Sequence, residues 1–327
     1  RLGAAAVTLK LTDEDGGTAD LHQQVTVRDV LFVSLGDSVA SGEGNPDIPA
    51  DGATPPNWND LRCHRSTKAG PAQAALELER ADPHSSVTFV HLACSGATIA
   101  AGLLGPYRGI DKTTVYPDPL PPQVEELTRL LGGRKADIVS VSIGANDIGF
   151  SSILITCKSP TVIDCQYDLI RSGPYPTYGD AVSVRILTLD YGDLAEALAP
   201  LVASPQSILL TEYFDPIHAS RDAVCGDRGV SELLYDYDPK LFRDPLITQV
   251  GRTTKVTANE ARWAYEQVLA PLNRTLADAA KAYGWTLVGG IAEAFAAHGY
   301  CAKDHWVVRY TESQLVQLGD TGTLHPN

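Results

Sequence analysis

Short apolar runs that alternate with helical segments constrain the fold of this chain more than any other feature. The candidate strands are rich in Val, Ile and Leu, and they are Leu31–Leu35, Val87–Leu92, Ile138–Ile143, Ser207–Glu212 and Thr286–Val288. Helical periodicity covers Ala69–Arg80, Gln123–Leu131, Leu187–Leu201 and Ala258–Tyr283. This alternation predicts an α/β domain whose parallel sheet is covered by helices on both faces. Pro271 is expected to kink or divide the last helix.

The first apolar run ends in Gly36-Asp37-Ser38 and is followed at once by small residues. A parallel strand that ends in a tight turn places the next side chain at the carboxyl edge of the sheet, where open α/β folds bind ligands. Ser38 is therefore a candidate nucleophile. The alternative is a Gly-Asp turn in which Ser38 only caps a helix, and this segment alone leaves both interpretations open.

Two later segments carry polar residues suited to the same edge. A β-branched run is followed by Gly144, Asn146 and Asp147, so the Asn146 amide could face the crevice that holds Ser38. The alternative is an Asn-Asp turn, which commonly ends a strand. The chain finishes with His325-Pro326-Asn327. A lone histidine is more often structural than catalytic, so His325 gains meaning only from its partners.

Taken together, these segments resemble the SGNH (GDSL-type) hydrolases, in particular secreted actinobacterial esterases and lipases. The matching blocks occur in the family's order: Gly-Asp-Ser at Ser38, Cys-Ser-Gly-Ala at Gly96, Gly-Ala-Asn-Asp at Asn146 and His-Pro-Asn at His325. The resemblance implies a flavodoxin-like three-layer sandwich with a five-stranded parallel sheet in the order 2-1-3-4-5. It also implies that Ser38 is the nucleophile and His325 its general base. The Ser38 and Gly96 N–H groups and the Asn146 side chain would then form the oxyanion hole.

These residue types suit acyl transfer. A serine hydroxyl is a weak nucleophile until a neighbouring imidazole accepts its proton, and histidine titrates near neutral pH. Fixed N–H donors stabilise the charge that develops on the carbonyl oxygen. Motifs of other enzyme classes do not occur: there is no Gly-x-Ser-x-Gly, His-Glu-x-x-His, Walker A or Gly-x-Gly-x-x-Gly sequence. No cofactor and no catalytic metal are expected.

The group that orients His325 is ambiguous. Family members with a full triad usually carry Asp three residues before the histidine, and Gly322 occupies that position here. Some secreted relatives use a Ser-His dyad in which a main-chain carbonyl near a Trp orients the imidazole. We therefore expect a carbonyl near His305–Trp306, with the Asp320 carboxylate as the alternative.

The six cysteines bear on the compartment. The resemblance suggests sequential disulfides, Cys63–Cys94, Cys157–Cys165 and Cys225–Cys301, and thus a secreted protein. Six reduced thiols in a cytosolic enzyme are the alternative, and a zinc site has little support because no Cys-x-x-Cys occurs. The chain contains no Met, so we expect a processed piece of a longer secreted protein.

Charge and hydropathy exclude several classes of partner. The net charge is −14, which disfavours binding to nucleic acid and to anionic membranes. No run approaches the ~18 apolar residues of a membrane span, so we expect no stable membrane insertion. The chain is long enough for a sizeable core, and we expect it to act as a monomer.

The first 28 residues differ from the remainder. Two segments that alternate apolar and polar residues flank Asp13-Glu-Asp-Gly-Gly, a pattern typical of a β-hairpin. The pair resembles the last strands of a PKD-type or Ig-like domain. We therefore divide the chain into residues 1–28, the remnant of such a module, and residues 29–327, the hydrolase domain. Solvated acidic turns are far commoner than Ca²⁺ sites, so calcium binding at this turn is the minor alternative.

Two long segments interrupt the α/β pattern, Asn45–Asp60 and Pro216–Lys255, the latter with Tyr235, Tyr237 and Phe242. We expect them to shape the acyl and alcohol pockets over Ser38, although simple surface insertion is the alternative. The predicted function is a secreted serine ester hydrolase that acts on small-molecule, lipid or polysaccharide esters. The alternatives are a phospholipase or acyltransferase with the same site, and a non-catalytic adhesion or binding module that retains the fold.

Overall fold

A five-stranded parallel sheet flanked by helices forms the centre of the molecule, as predicted. The computed structural model describes residues 2–157, 164–170, 174–227, 233–234 and 255–327. The sheet strands are β2 (Thr18–Gly36), β3 (Ser85–His91), β4 (Ile138–Ser142), β5 (Ile208–Thr211) and β10 (Thr286–Val288). Their order is β3-β2-β4-β5-β10, and every neighbouring pair is parallel. In order of appearance this is 2-1-3-4-5, as the resemblance implied.

The remaining strands are short or lie outside the parallel sheet. They are β1 (Leu2–Thr12), β6 (His218–Ser220), β7 (Ala223–Val224), β8 (Leu233–Leu234) and β9 (Lys255–Val256). Strands β6 and β7 form one antiparallel pair and β8 and β9 another. Most of the segment after Pro216, including Tyr235, Tyr237 and Phe242, lies outside the described residues.

Helices connect the strands and cover the sheet. They are α1 (Ser38–Ser41), α2 (Gly70–Ala81), α3 (Gln123–Leu131), α4 (Phe150–Cys157), α5 (Tyr178–Thr188), α6 (Gly192–Leu198), α7 (Ala258–Trp263), α8 (Ala270–Tyr283), α9 (Ile291–Phe295) and α10 (Tyr310–Gln317). Two 3₁₀ turns follow α6, at Ala199–Leu201 and Pro205–Ser207, and a π-helical segment, Ala264–Leu269, joins α7 to α8. No helix among the described residues is both long and apolar enough to cross a membrane.

Two of the predicted helices are each divided into two in the structure. The expected helix Leu187–Leu201 is divided, because Leu189 adopts an extended conformation and ends α5. The Asp190 carboxylate then accepts a hydrogen bond from the Gly192 N–H, 2.8 Å away, where α6 begins. The helix that contains Pro271 is also divided: Pro271 lies in the first turn of α8, directly after the π-helical segment. A proline is tolerated in a first turn because its missing N–H is not needed there.

One long strand links the N-terminal hairpin to the sheet. Strand β2 pairs with β1 from Thr18 to Arg28 and then continues without interruption between β3 and β4. The predicted boundary between residues 28 and 29 therefore falls inside a single strand, and the assignment of residues 1–28 to a further module stays a prediction. One face of the hairpin is apolar and more than half exposed, at Val7, Leu9, Leu11 and Leu21.

Three disulfides are formed, with the sequential pairing that the resemblance suggested. Cys63–Cys94 joins the segment after α1 to the loop after β3, and Cys157–Cys165 closes the end of α4. Three disulfides are typical of proteins from oxidising compartments.

Candidate active site

Ser38 lies at the carboxyl end of β2, in the first turn of α1. Asp37 caps this turn, since its carboxylate accepts a hydrogen bond of 3.0 Å from the Val39 N–H. The end of the strand is held by the buried Gln123, whose side chain bonds both the N–H and the carbonyl of Gly36, at 2.8 and 2.9 Å. The Ser38 hydroxyl therefore projects from a backbone that is fixed on both sides.

The structure brings His325 to Ser38 across 287 residues of sequence. The Nε2 atom of His325 lies 2.8 Å from the Ser38 Oγ. Main-chain hydrogen bonds hold the histidine in place: Val308 N donates to the His325 carbonyl at 2.7 Å, and Leu324 N donates to the Val308 carbonyl at 2.9 Å. This is the hydrogen bond that a serine nucleophile and its base require.

The Nδ1 atom of His325 is buried, and no group among the described residues forms a well-aligned hydrogen bond with it, although backbone hydrogen bonds of the imidazole with Thr323 and Gly322 oppose the lowering of its pKa. The two carbonyls near the tryptophan are used elsewhere, because Asn327 donates to them: its N–H to Trp306 at 3.0 Å and its side chain to His305 at 3.3 Å. Asp320 is exposed on the wall of the same cavity. Neither group that we expected to orient His325 is bonded to Nδ1.

Gly96 and Asn146 lie beside Ser38 and line the same cavity. Gly96 has a φ of +83°, and a Cβ there would lie 2.3 Å from the Tyr107 hydroxyl, so no side chain fits. The Asn146 amide donates to the Ala97 carbonyl at 3.0 Å, which joins the two predicted oxyanion loops. The next residue, Asp147, reinforces this link by accepting from the Ile99 N–H at 3.0 Å.

Asp37 is fully buried beneath the nucleophile. Burial raises the pKa of Asp37 to about 7, although hydrogen bonds from Tyr213 and from the Val39 N–H partly oppose this. The Tyr213 hydroxyl donates to Asp37 at 2.5 Å and accepts from the Ala145 N–H at 3.0 Å. Tyr213 thus connects the turn that carries Ser38 to the loop that carries Asn146.

Sequence reasoning missed Glu43, a second buried carboxylate. It is 2% exposed and lines the same cavity as His325. Burial by itself would raise the pKa of Glu43, but hydrogen bonds and charge from His64 outweigh that effect and hold the pKa at about 2. The only sequence signal was an acidic residue among small ones, Ser-Gly-Glu-Gly, directly after the nucleophile.

The cavity beside Ser38 has a volume of about 480 Å³. Its walls are mainly apolar, and they include Ile148, Ile153, Phe214, Val268, Leu269 and Leu272. The π-helical segment contributes Ala264 to this wall in addition to Val268 and Leu269; such segments are frequent at functional sites. Of the loops that we expected to shape the pockets, Pro216 and Ile217 contribute, whereas no residue of 45–60 does.

Among the described residues, one group has the composition of a metal site, namely Cys157, Cys165 and Glu260. The two sulfurs form a disulfide, and Glu260 accepts hydrogen bonds from the Cys165 N–H and from Thr257 at the start of α7. These residues are therefore structural.

Comparison with known proteins agrees with this geometry. No protein-family model matches the chain. The chain is 25% identical over 279 residues to Lipase 1 of Streptomyces coelicolor, an alignment that covers 84% of this chain and 75% of that lipase. It is 30% identical over 144 residues to a lipase of Streptomyces rimosus, which covers 44% of this chain and 40% of that protein.

The fold matches the crystal structure of phospholipase A1 from Streptomyces albidoflavus with a TM-score of 0.52. The match covers 91% of this chain and 92% of that one at 20% identity, so it concerns the fold alone. The similarity to these lipases indicates an ester hydrolase. Its sheet order and its relatives thus agree with the resemblance that its four sequence blocks showed.

Proposed function

We propose that this hydrolase cleaves acyl esters through a covalent acyl-enzyme on Ser38, with His325 as the general base. The observation that carries the proposal is the 2.8 Å contact between His325 Nε2 and Ser38 Oγ. Gly96 and Asn146 lie on the same cavity, where N–H donors are needed. A base within hydrogen-bond distance of a hydroxyl, with donors beside both, is the arrangement that acyl transfer requires.

The reaction would proceed in two stages. His325 Nε2 accepts the Ser38 proton while Oγ attacks the ester carbonyl, and the N–H groups of Ser38 and Gly96 with the Asn146 amide stabilise the oxyanion. The imidazolium then returns its proton to the leaving alcohol, which leaves an acyl-serine. In the second stage His325 takes a proton from water and hydroxide adds to the acyl carbonyl. The bond to Ser38 Oγ then breaks, the imidazolium returns its proton to Oγ, and the acid departs.

We propose that the large apolar cavity receives the acyl chain. Much of its apolar wall is formed by α4, the π-helical segment and the start of α8. Burial of apolar surface contributes roughly 25 cal/mol per Å², so each added methylene that enters the cavity strengthens binding. Medium-chain or longer acyl esters therefore fit better than acetyl esters, whether the alcohol belongs to a small molecule, a lipid or a polysaccharide.

We also propose that the enzyme is secreted and acts as a monomer without nucleic-acid partners. The three disulfides support an oxidising compartment. The net charge of −14 opposes association with the phosphate backbone of nucleic acids.

Hydrolysis of p-nitrophenyl butyrate by the S38A variant tests the mechanism. We expect kcat to fall by about 10⁴-fold or more, because the nucleophile is lost while oxyanion stabilisation and binding remain. The matched control is Ser183→Ala on the exposed face of α5, which should retain wild-type activity. A Ser38→Ala rate within tenfold of wild type would show that the serine mechanism is wrong.

Product analysis separates the remaining activities at this site. A long-chain phospholipid distinguishes phospholipase from simple esterase activity, and an added alcohol reveals acyl transfer through an ester product instead of a free acid. Release of no product from any ester would favour the non-catalytic binding module.

A further inference from the structure

Glu43 occupies an unusual position for a residue outside the proposed catalytic set. It follows α1, five residues after the nucleophile, and its side chain is buried. Its carboxylate accepts hydrogen bonds from three side chains, Ser95 Oγ at 2.5 Å, Gln317 Nε2 at 2.9 Å and His64 Nδ1 at 2.9 Å. A buried carboxylate with this many donors stays ionised.

These three partners belong to different parts of the site. Ser95 precedes Gly96 in the proposed oxyanion loop, and Gln317 ends α10, shortly before the segment that carries His325. His64 stacks on Trp58 with ring centroids 4.5 Å apart, and the Cys63–Cys94 disulfide joins the residues that precede His64 and Ser95. Glu43 is therefore the point at which three loops of the site meet.

The residues after Glu43 also contact the His325 segment. Gly44 packs so closely on Gly322 that a Cβ on Gly322 would lie 2.7 Å from the Gly44 Cα. The Asn45 side chain donates to the Pro326 carbonyl at 2.6 Å. Together with the bond between Glu43 and Gln317, these contacts hold the His325 segment against the end of α1.

Within the part of the chain that the structure describes, no carboxylate is bonded to His325 Nδ1, although an imidazolium must form during each proton transfer. We propose that Glu43 is a positioning residue that stabilises the His325 imidazolium through space, in place of a carboxylate bonded to Nδ1. This inference rests on the proposed function. Burial lowers the pKa of His325. The negative charge of Glu43 is the largest influence that opposes this, backbone hydrogen bonds with Thr323 and Gly322 add to it, and the charge of His64 lowers the pKa by a smaller amount.

The sign of the expected pH effect follows from these charges. Glu43 and His64 act on His325 through their charge, and the other titratable groups that line the cavity are Lys112, Tyr213, Glu260, Tyr300, Tyr310 and Asp320. Activity rises with pH as His325 loses its proton and becomes a base. Removal of the negative charge of Glu43 lowers the pKa of His325, so the acidic limb of kcat/KM should move to lower pH.

The E43Q variant tests this inference by removing the charge while retaining the size of the side chain. We expect the acidic limb to move down by about one pH unit and kcat to fall about 10- to 100-fold, with little change in KM. Gln317→Ala is the matched control, because it removes a hydrogen bond to Glu43 and leaves the charge. Gln317→Ala should lower kcat without moving the acidic limb of the kcat/KM profile. The proposal is overturned if this limb moves equally in Glu43→Gln and Gln317→Ala, or if it moves in neither variant.

A second measurement does not depend on catalysis. An NMR titration of the His325 Cε1–H in Ser38→Ala and in Ser38→Ala/Glu43→Gln reports the imidazole pKa directly. It remains interpretable even if Ser38 is not the nucleophile. If Glu43→Gln fails to fold, Glu43→Asp replaces it in the same titration. The shorter side chain moves the carboxylate away from His325, so the pKa of His325 should fall by about a few tenths of a unit. An unchanged value contradicts the proposal.

Discussion

Asp37 and Glu43 are both buried near Ser38, yet their surroundings favour opposite charge states. Burial raises the pKa of Asp37 to about 7, and the groups that oppose this are the Tyr213 hydroxyl and the Val39 N–H. Glu43 is equally buried, but His64 and further donors hold its pKa at about 2. The two groups differ in their donors and not in their exposure.

One small region of the protein therefore holds a carboxyl group that titrates near neutral pH beside a carboxylate that stays ionised. Neutral donors offset only part of the desolvation cost of Asp37, whereas an adjacent imidazole more than offsets it for Glu43. The permanent charge lies on the side of the proposed base, where positive charge develops during catalysis. The titrating group supports the turn that carries the nucleophile.

The largest expected effect comes from truncation of each carboxylate. Glu43→Ala leaves the donors of His64, Ser95 and Gln317 without their acceptor, so we expect a loss of about 3–5 kcal/mol at pH 7. Asp37→Ala removes a helix cap and one hydroxyl acceptor and should cost about 1–3 kcal/mol. Urea unfolding of both variants measures this; equal losses would mean that the number and type of donors do not distinguish the two sites.

A smaller effect is the pH dependence of the free energy of unfolding that Asp37 causes. The folded-state pKa of Asp37 is raised above its ordinary value of 3.8, so its contribution to stability is complete below pH 4 and is lost as pH rises through 7. Asp37→Asn resembles the protonated form and lacks this loss. Relative to the variant, the wild type should lose about 2–3 kcal/mol between pH 5 and pH 8.5.

Unfolding of the wild type and of Glu43→Gln at several pH values checks the direction of the pKa shift at Glu43. Its pKa is lowered, so its contribution is present above pH 4.5 and is lost only toward pH 2. The stability difference between wild type and Glu43→Gln should therefore stay constant from pH 5 to pH 8.5. A slope in that range would contradict the assignment of Glu43 as a permanent anion.

The smallest expected effect is at Asp320, an exposed carboxylate on the cavity wall. Asp320 is not hydrogen-bonded to His325 Nδ1, so Asp320→Asn should lower kcat less than about threefold. Loss of a triad aspartate, in contrast, costs about 10⁴-fold. Steady-state hydrolysis of p-nitrophenyl butyrate separates the two values, and a large loss would favour a Ser-His-Asp triad.

Much of the site was accessible from local sequence. Ser38, Gly96 and Asn146 each follow a strand in a short block of recognisable letters, and the structure brings them together with His325 around one cavity. The sheet order came from the resemblance, since apolar runs identify strands but not their neighbours. The division of the predicted helix at Leu189 was not accessible, because apolar periodicity does not register an extended residue that ends one helix before another begins.

Glu43 and Asp37 could not be interpreted from sequence for a related reason. Their charge states depend on partners that are distant in the chain, His64 and Gln317 for one and Tyr213 for the other. The sequence shows that both residues are acidic, but their burial and their hydrogen-bond donors are defined only in the folded chain. The resemblance drew attention to Asp320 because it lies close to His325 in sequence, while the buried carboxylate near the base comes from the other end of the chain.

The continuity of β2 also sets a distance. A strand of 19 residues at about 3.3 Å per residue is roughly 60 Å long, and it carries the hairpin turn at one end and the Ser38 turn at the other. Any molecule that contacts the hairpin turn is therefore far from the Ser38 turn. The first described residue is much closer to the sheet, because Leu2 pairs with Arg28 in the middle of β2.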